Sequence, residues 1–152
     1  TYWRTFLANA QLFPSVHDFL DTLRSAKIAT CLITDLTAQI QFRKLIYFDL
    51  DRCFDYVVTS EEAGRDKPSA EPFRCACEKL QIGDKEMIWM IGDNPDADIA
   101  GARQHMNALT FQKIHLGVSV GGGVAAADIT FKEYSELLPF LGKWQHVKLD
   151  AS

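Results

Sequence analysis

The stretch Met87-Ile88-Trp89-Met90-Ile91-Gly92-Asp93-Asn94-Pro95-Asp96-Ala97-Asp98 decides how this chain is read. Met87 to Ile91 is an unbroken apolar run of strand length, and Gly92 ends it with the freedom to turn sharply. Asn94 suits the N-cap of a following helix and Pro95 its first position. The spacing predicts a helix over 95–105 with Ala97, Ala100 and Gly101 as a small-residue side. Asp93 then stands at a strand end and Asp98 in the first helical turns, and both can face one cleft. Hard carboxylate oxygens of this kind suit magnesium, which takes one or two carboxylates and keeps several waters. A capped, acid-rich helix start explains an aspartate or two through the helix dipole. It does not explain why a hydrophobic strand feeds straight into the carboxylate.

Working outward, strand and helix patterns alternate, which argues for an α/β layer architecture. Val16, Phe19, Leu20 and Leu23 make the apolar face of a helix that begins at Ser15, where Ser15 and Asp18 resemble a capping box. Residues 29–34 read as a buried strand, and Thr37 opens a helix containing Ile40, Leu45 and Ile46. Tyr56 to Thr59 is a strand, and Ala70, Phe73, Cys77 and Leu80 line one side of the next helix. Residues 109–114 and 128–131 are further strands, and Tyr134, Leu137, Leu138 and Leu141 mark a closing helix. Residues 2–10 read as the end of a helix broken before Pro14. The cluster Gly121-Gly122-Gly123 sits in a loop and is not read as a dinucleotide-binding turn.

Bulk properties narrow the function. The 152 residues are 47% hydrophobic and 24% charged, the balance of an ordinary globular domain. A net charge of −4 does not suggest a nucleic-acid partner, and no apolar run is long enough for a membrane span. Cys31 reads as a core residue. Cys75 and Cys77 point to different sides of a helix, so a shared metal is not expected; reduced thiols in a cytoplasmic protein are.

Two more candidates stand at predicted strand ends. Thr34 closes Cys31-Leu32-Ile33-Thr34, and its hydroxyl and backbone N–H can donate to a phosphate oxygen. Lys67, in Gly64-Arg65-Asp66-Lys67-Pro68, can neutralise phosphoryl charge, with Pro68 restricting its backbone. Taken singly, a turn threonine and a surface lysine account for them as well. Together with Asp93 and Asp98 they form a phosphate- and cation-binding set.

That set, in its flanking text, resembles the haloacid-dehalogenase-like hydrolase superfamily in its phosphatase branch. Leu32-Ile33-Thr34-Asp35 looks like its second motif, and Asp66-Lys67-Pro68 with Pro72-Phe73 like its third. The segment from Gly92 to Ala102 looks like its fourth. The resemblance runs from about Leu12 to Leu141. It implies a Rossmann-like three-layer sandwich with a mostly parallel sheet, and hydrolysis of a small-molecule phosphate ester through an aspartyl-phosphate. It also implies roles: Thr34 and Lys67 on the phosphate, Asp93 and Asp98 on Mg2+, and Asp98 alternatively behind Lys67. Lys67 and Asp93 are the catalytic candidates.

The nucleophile motif that should precede all of this, on the first strand, is not found in the chain. Phe48-Asp49-Leu50-Asp51 mimics an Asp-x-Asp pair, but it follows the second motif and is continued by Arg52 and Cys53. The resemblance therefore implies the C-terminal part of a longer protein, inactive by itself, with residues 1–12 as the end of a cap helix and linker and 13–152 as a partial core domain. In the family the first strand lies mid-sheet. Its absence predicts a defective sheet, direct pairing of its neighbours, or self-association through unpaired strand edges. Metal-independent haloacid dehalogenase and a non-catalytic phosphate-binding or regulatory module are the competing functions.

Overall fold

A computed structural model describes residues 2–3, 15–36 and 38–141. Among these, six strands form one parallel sheet: β1 (Tyr2–Trp3), β2 (Cys31–Thr34), β3 (Tyr56–Thr59), β4 (Trp89–Gly92), β5 (Leu109–Lys113) and β6 (Ile129–Phe131). Their order across the sheet is β3-β2-β1-β4-β5-β6. The helices are α1 (Val16–Ser25), α2 (Ala38–Tyr47), α3 (Ser60–Ala63), α4 (Ala70–Leu80) and α5 (Gly101–Met106).

Alternation along the buried strands sorts side chains into two layers. Leu32, Trp89, Ile91 and Phe111 pack with Val16, Phe19, Leu20 and Leu23 of α1, with Leu45 of α2, and with Tyr134 and Leu137. Cys31, Ile33, Val58 and Met90 face the other way, onto Phe73 and Ala76 of α4 and Ala102 and Met106 of α5. This is the expected three-layer α/β sandwich. Gly101 is small because a Cβ there would lie 2.7 Å from the Phe73 ring.

The central slot departs from expectation. Tyr2 pairs with Cys31 on one side and Met90 on the other, and Trp3 pairs with Leu32. Tyr2 and Trp3 thus stand between β2 and β4, in the slot expected to lack a strand, and are strand rather than helix. Parallel neighbours on both sides leave unpaired N–H and C=O groups that any extended segment within reach can satisfy. Residues 4–14, which include the rest of the expected cap-helix end and linker to residue 12, lie outside the described residues.

Other differences are local. Ser15 is left-handed, with φ of 67°, and makes no side-chain cap, so the Ser15–Asp18 capping box does not form. The helix predicted over 95–105 begins as a wide π-type turn over Pro95–Ala100 before α5 takes over. The closing helix starts as a 3₁₀ turn, Tyr134–Leu137. Thr37 is outside the described residues, and Ile46 is exposed.

The N-terminal edge of the sheet carries a repeated device. Asp55 Oδ2 accepts from Thr30 N, and Asp128 Oδ2 accepts from Thr110 N, each aspartate taking the threonine hydroxyl as well. In return each threonine Oγ1 accepts the aspartate's own N–H. The pairs β2–β3 and β5–β6 are thereby locked in register at equivalent points. The Thr110 N–H, foremost among these contacts, holds the Asp128 carboxyl below its ordinary range.

Candidate active site

The strand order reverses at β1 and β4, and the carboxyl ends of strands at such a switch point are where open α/β sheets bind ligands. Thr34 ends β2, and Asp93 directly follows β4. The Asp49–Asp51 pair follows α2 at the other end of the sheet, away from these residues.

Lys67 and Asp98 form the centre. Lys67 Nζ donates to Asp98 Oδ1 at 2.6 Å, and both side chains are 0% exposed. The ammonium also donates to the Ile33 carbonyl at 3.3 Å, next to Thr34. Asp98 Oδ2 accepts from Asn94 N at 3.1 Å, next to Asp93. A continuous chain of contacts therefore joins the two strand ends. Burial of such a pair raises the strength of each interaction and the cost of losing one partner.

Local structure explains the placement. Asn94 Oδ1 accepts from Asp96 N and Ala97 N, capping the turn as the sequence predicted. The Asn94 carbonyl takes Asp98 N at 2.9 Å and Ile99 N at 3.4 Å, the widened pitch that accompanies the π-type turn. That turn carries the Asp98 carboxylate back over Gly92. A Cβ at Gly92 would lie 2.4 Å from Asp98 Oδ2, so only glycine fits there. On the other side, Lys67 N donates to Asp35 Oδ1 at 3.0 Å and Ser60 Oγ to the Asp35 carbonyl at 3.0 Å. The Lys67–Pro68 peptide is cis. Thr34 Oγ1 accepts from Leu36 N at 3.1 Å, an arrangement that leaves its O–H to donate elsewhere.

Asp93 differs from Asp98 in being partly open, its side chain 16% exposed. Its Oδ2 lies 3.0 Å from His115 Nε2, and its carbonyl accepts from Gln112 Nε2 at 3.3 Å. Neither His115 nor Gln112 is singled out by sequence pattern. The signal that could have found them is topological: both stand at the end of β5, the strand beside β4, and Gly92 pairs with Gln112. Lys113, also at that end, is buried, which pulls its ammonium below the ordinary range; Glu133, Glu136 and Asp93 oppose this.

Asp93 can offer a hard oxygen to magnesium, which keeps most of its waters when bound through one or two carboxylates. Asp98 has each oxygen on a protein donor, so its place is behind Lys67 as much as near a cation. Among the described residues no group of three or more His, Cys, Asp or Glu converges as a ready-made metal cluster. The donor set fits a cation held by one protein carboxylate, waters and a bound phosphate. Two open clefts, about 310 and 400 Å³, lie at the N-terminal edge of the sheet and include none of Thr34, Lys67, Asp93 or Asp98. A single phosphoryl group needs convergent donors more than volume, so the contact geometry is the better guide to the chemistry.

The fold is a parallel α/β sandwich with a polar set at its switch point, and comparison with known proteins gives its family. Residues 2–105 match the family described as haloacid dehalogenase-like hydrolase, and the chain belongs to it. It is 36% identical over 101 residues to a ribulose-1,5-bisphosphate 5-phosphatase of Halopiger xanaduensis, covering 66% of this chain and 42% of that protein. It is 35% identical over 92 residues to a phosphoserine phosphatase of Thermus thermophilus, covering 60% of this chain and 36% of that protein. A solved phosphatase of the same superfamily from Thermococcus onnurineus superposes with a TM-score of 0.76 at 26% identity, over 87% of this chain and 59% of that one. The chain spans less than half the length of the two curated relatives. Among the described residues no helix is long and apolar enough to cross a membrane.

Proposed function

We propose that these residues are the phosphate- and magnesium-binding half of a magnesium-dependent phosphatase acting on small phosphate monoesters. The observation that carries this is the buried Lys67–Asp98 pair, 2.6 Å long, linking the end of β2 at Thr34 to the end of β4 at Asp93. A scaffold has no use for an ammonium and a carboxylate desolvated together at a ligand-binding edge, because an apolar pair of similar volume is as stable or more so.

In this reading Thr34 donates its hydroxyl to a phosphoryl oxygen. Lys67, aimed by Asp98 and the Ile33 carbonyl, neutralises charge on the transferring group. Asp93 ligates Mg2+, which would supply further charge neutralisation and orient the ester. The curated relatives named above act on a sugar bisphosphate and a phosphorylated amino acid, both small monoesters, which supports the substrate class. The three site carboxylates Asp35, Asp93 and Asp98 each contact a protein donor, and none is assigned as nucleophile. The chain by itself then binds phosphate far better than it turns it over, and the full activity belongs to a protein that adds an aspartate to this site. Four free cysteines accord with a cytoplasmic setting.

Calorimetry with orthophosphate in the presence of Mg2+ or a chelator tests the binding, alongside p-nitrophenyl phosphate hydrolysis. Magnesium-dependent phosphate binding, lost in Lys67→Met, is expected. Binding unchanged by Lys67→Met defeats the assignment of the site, halide release from a haloacid without metal would favour a dehalogenase, and rapid hydrolysis by the chain itself would defeat the claim that it lacks a nucleophile.

A further inference from the structure

We infer that His115 is a positioning residue for the Asp93 carboxylate, holding Oδ2 so that Oδ1 is presented to the cation. The inference deepens the proposed function and rests on its assignment of Asp93 to magnesium.

A carboxylate on a strand end can rotate about its last bond, and a magnesium ion demands near-ideal geometry from its ligands. Fixing one oxygen removes that freedom before the ion arrives. His115 Nε2 lies 3.0 Å from Asp93 Oδ2. An ionised carboxylate only accepts, so Nε2 carries the hydrogen in this contact whichever charge the ring has. The two side chains are 14% and 16% exposed, which shields the bond from competing water while leaving the carboxylate reachable.

The loop that delivers His115 is fastened to the same turn. Gln112 is 0% exposed, and its Nε2 donates to the Asp93 carbonyl at 3.3 Å and to the Ser119 carbonyl at 2.8 Å. Its Oε1 accepts from Gly121 N at 3.1 Å. Gly121 lies so close to the helix start that a Cβ would stand 2.6 Å from Pro95 Cβ and 2.0 Å from the Ala125 carbonyl oxygen. One buried amide thus ties backbone on both sides of residues 113–118 to the Asp93–Pro95 turn. The helix start does not need this support, since Asn94 already caps it. The sheet does not need His115 either, because β5 ends at Lys113 and Ile114 N is satisfied by the Phe131 carbonyl. What the loop does is place an imidazole N–H on the partly exposed carboxylate that directly follows β4. Partners that orient a metal ligand in this way change metal affinity by about 10–100-fold when removed.

The test is Mg2+ binding by calorimetry, with the unfolding midpoint measured on every variant. His115→Ala should weaken Mg2+ about tenfold or more at an unchanged midpoint. His115→Gln returns an amide N–H to the position of Nε2 and should bind within about threefold of the parent. Asp93→Asn should lose binding altogether. Parent affinity in His115→Ala, or equal weakening in the alanine and glutamine variants, overturns the inference while leaving Asp93 as the ligand. Absence of Mg2+ binding in the unmutated chain overturns the magnesium assignment and this inference with it.

Discussion

Replacing Asp98 by alanine removes the counter-charge of a cation that has no exposed side-chain surface. Lys67 Nζ keeps its contact with the Ile33 carbonyl at 3.3 Å, a neutral acceptor at the long end of the hydrogen-bond range that does not replace a counter-charge. Breaking a buried pair from one side costs about 3–5 kcal/mol, because the surviving charge stays desolvated. Asn94 N simultaneously loses its 3.1 Å acceptor, adding about 1 kcal/mol. At 2–4 °C per kcal/mol for a domain of this size, the first contribution alone lowers Tm by roughly 6–20 °C. The companion variant Lys67→Met/Asp98→Leu removes both charges and fills the space. It should recover most of that loss or exceed the parent in stability, yet bind no phosphate. Thermal unfolding followed by circular dichroism, with phosphate calorimetry on the same samples, reads both effects. A Tm for Asp98→Ala within about 2 °C of the parent, less than 1 kcal/mol in a domain of this size, would show that the two groups are not a desolvated pair. Phosphate binding retained by the double variant would show that the pair serves the fold and not the site.

Gly92→Ala should destabilise by about 1–3 kcal/mol through overpacking, because the new methyl meets Asp98 Oδ2 at 2.4 Å; it should also weaken phosphate binding by shifting that carboxylate, and an unperturbed alanine variant would place Asp98 elsewhere. Asp128→Asn should cost stability at neutral pH. The Asp128 carboxyl is held below its ordinary value near 3.8, chiefly by the Thr110 N–H, so its contribution is present above the unfolded value and fades as pH falls through the folded one. The stability gap between parent and variant should therefore close below about pH 4 in denaturant titrations, and a constant gap down to pH 2 argues against the contact. Cys31 has its thiol pushed up to about 12 by burial, so iodoacetamide at pH 8 should spare it in the native chain and label it after denaturation; rapid native labelling would contradict its place in the core.

Much of the architecture was legible along the chain, and the reasons are local. Val16, Phe19, Leu20 and Leu23 recur at helical spacing and are the buried face of α1. Cys31–Thr34 and Trp89–Gly92 are continuous buried strands, as apolar runs covered on both faces must be. Asn94 caps the turn because its side chain reaches the next N–H groups within three residues. Thr34, Lys67, Asp93 and Asp98 stood out as candidates because Thr34 ends a strand, Asp93 follows one, Asp98 sits in the turn after it and Lys67 precedes a proline, in a pattern that also resembles a known family.

Tertiary structure decided what depends on distance between remote segments. The Ser15–Asp18 capping box was a fair local expectation, yet Ser15 is left-handed and its side chain makes no cap. Tyr2 and Trp3 have strand-favouring side chains, but two residues make no periodic pattern; they are strand because both pair with β2 and Tyr2 pairs with β4 as well. His115 lies 22 residues from Asp93, and nothing near it in sequence announces the contact. The same holds for Lys67 and Asp98, 31 apart, whose roles diverge from those of ordinary surface charges only once both are buried. Periodicity, capping and turn preference act over a few residues, so they set most of the elements and the residue types at their ends. Which of those ends meet, and which charges lose their water when they do, was set by packing across the sheet.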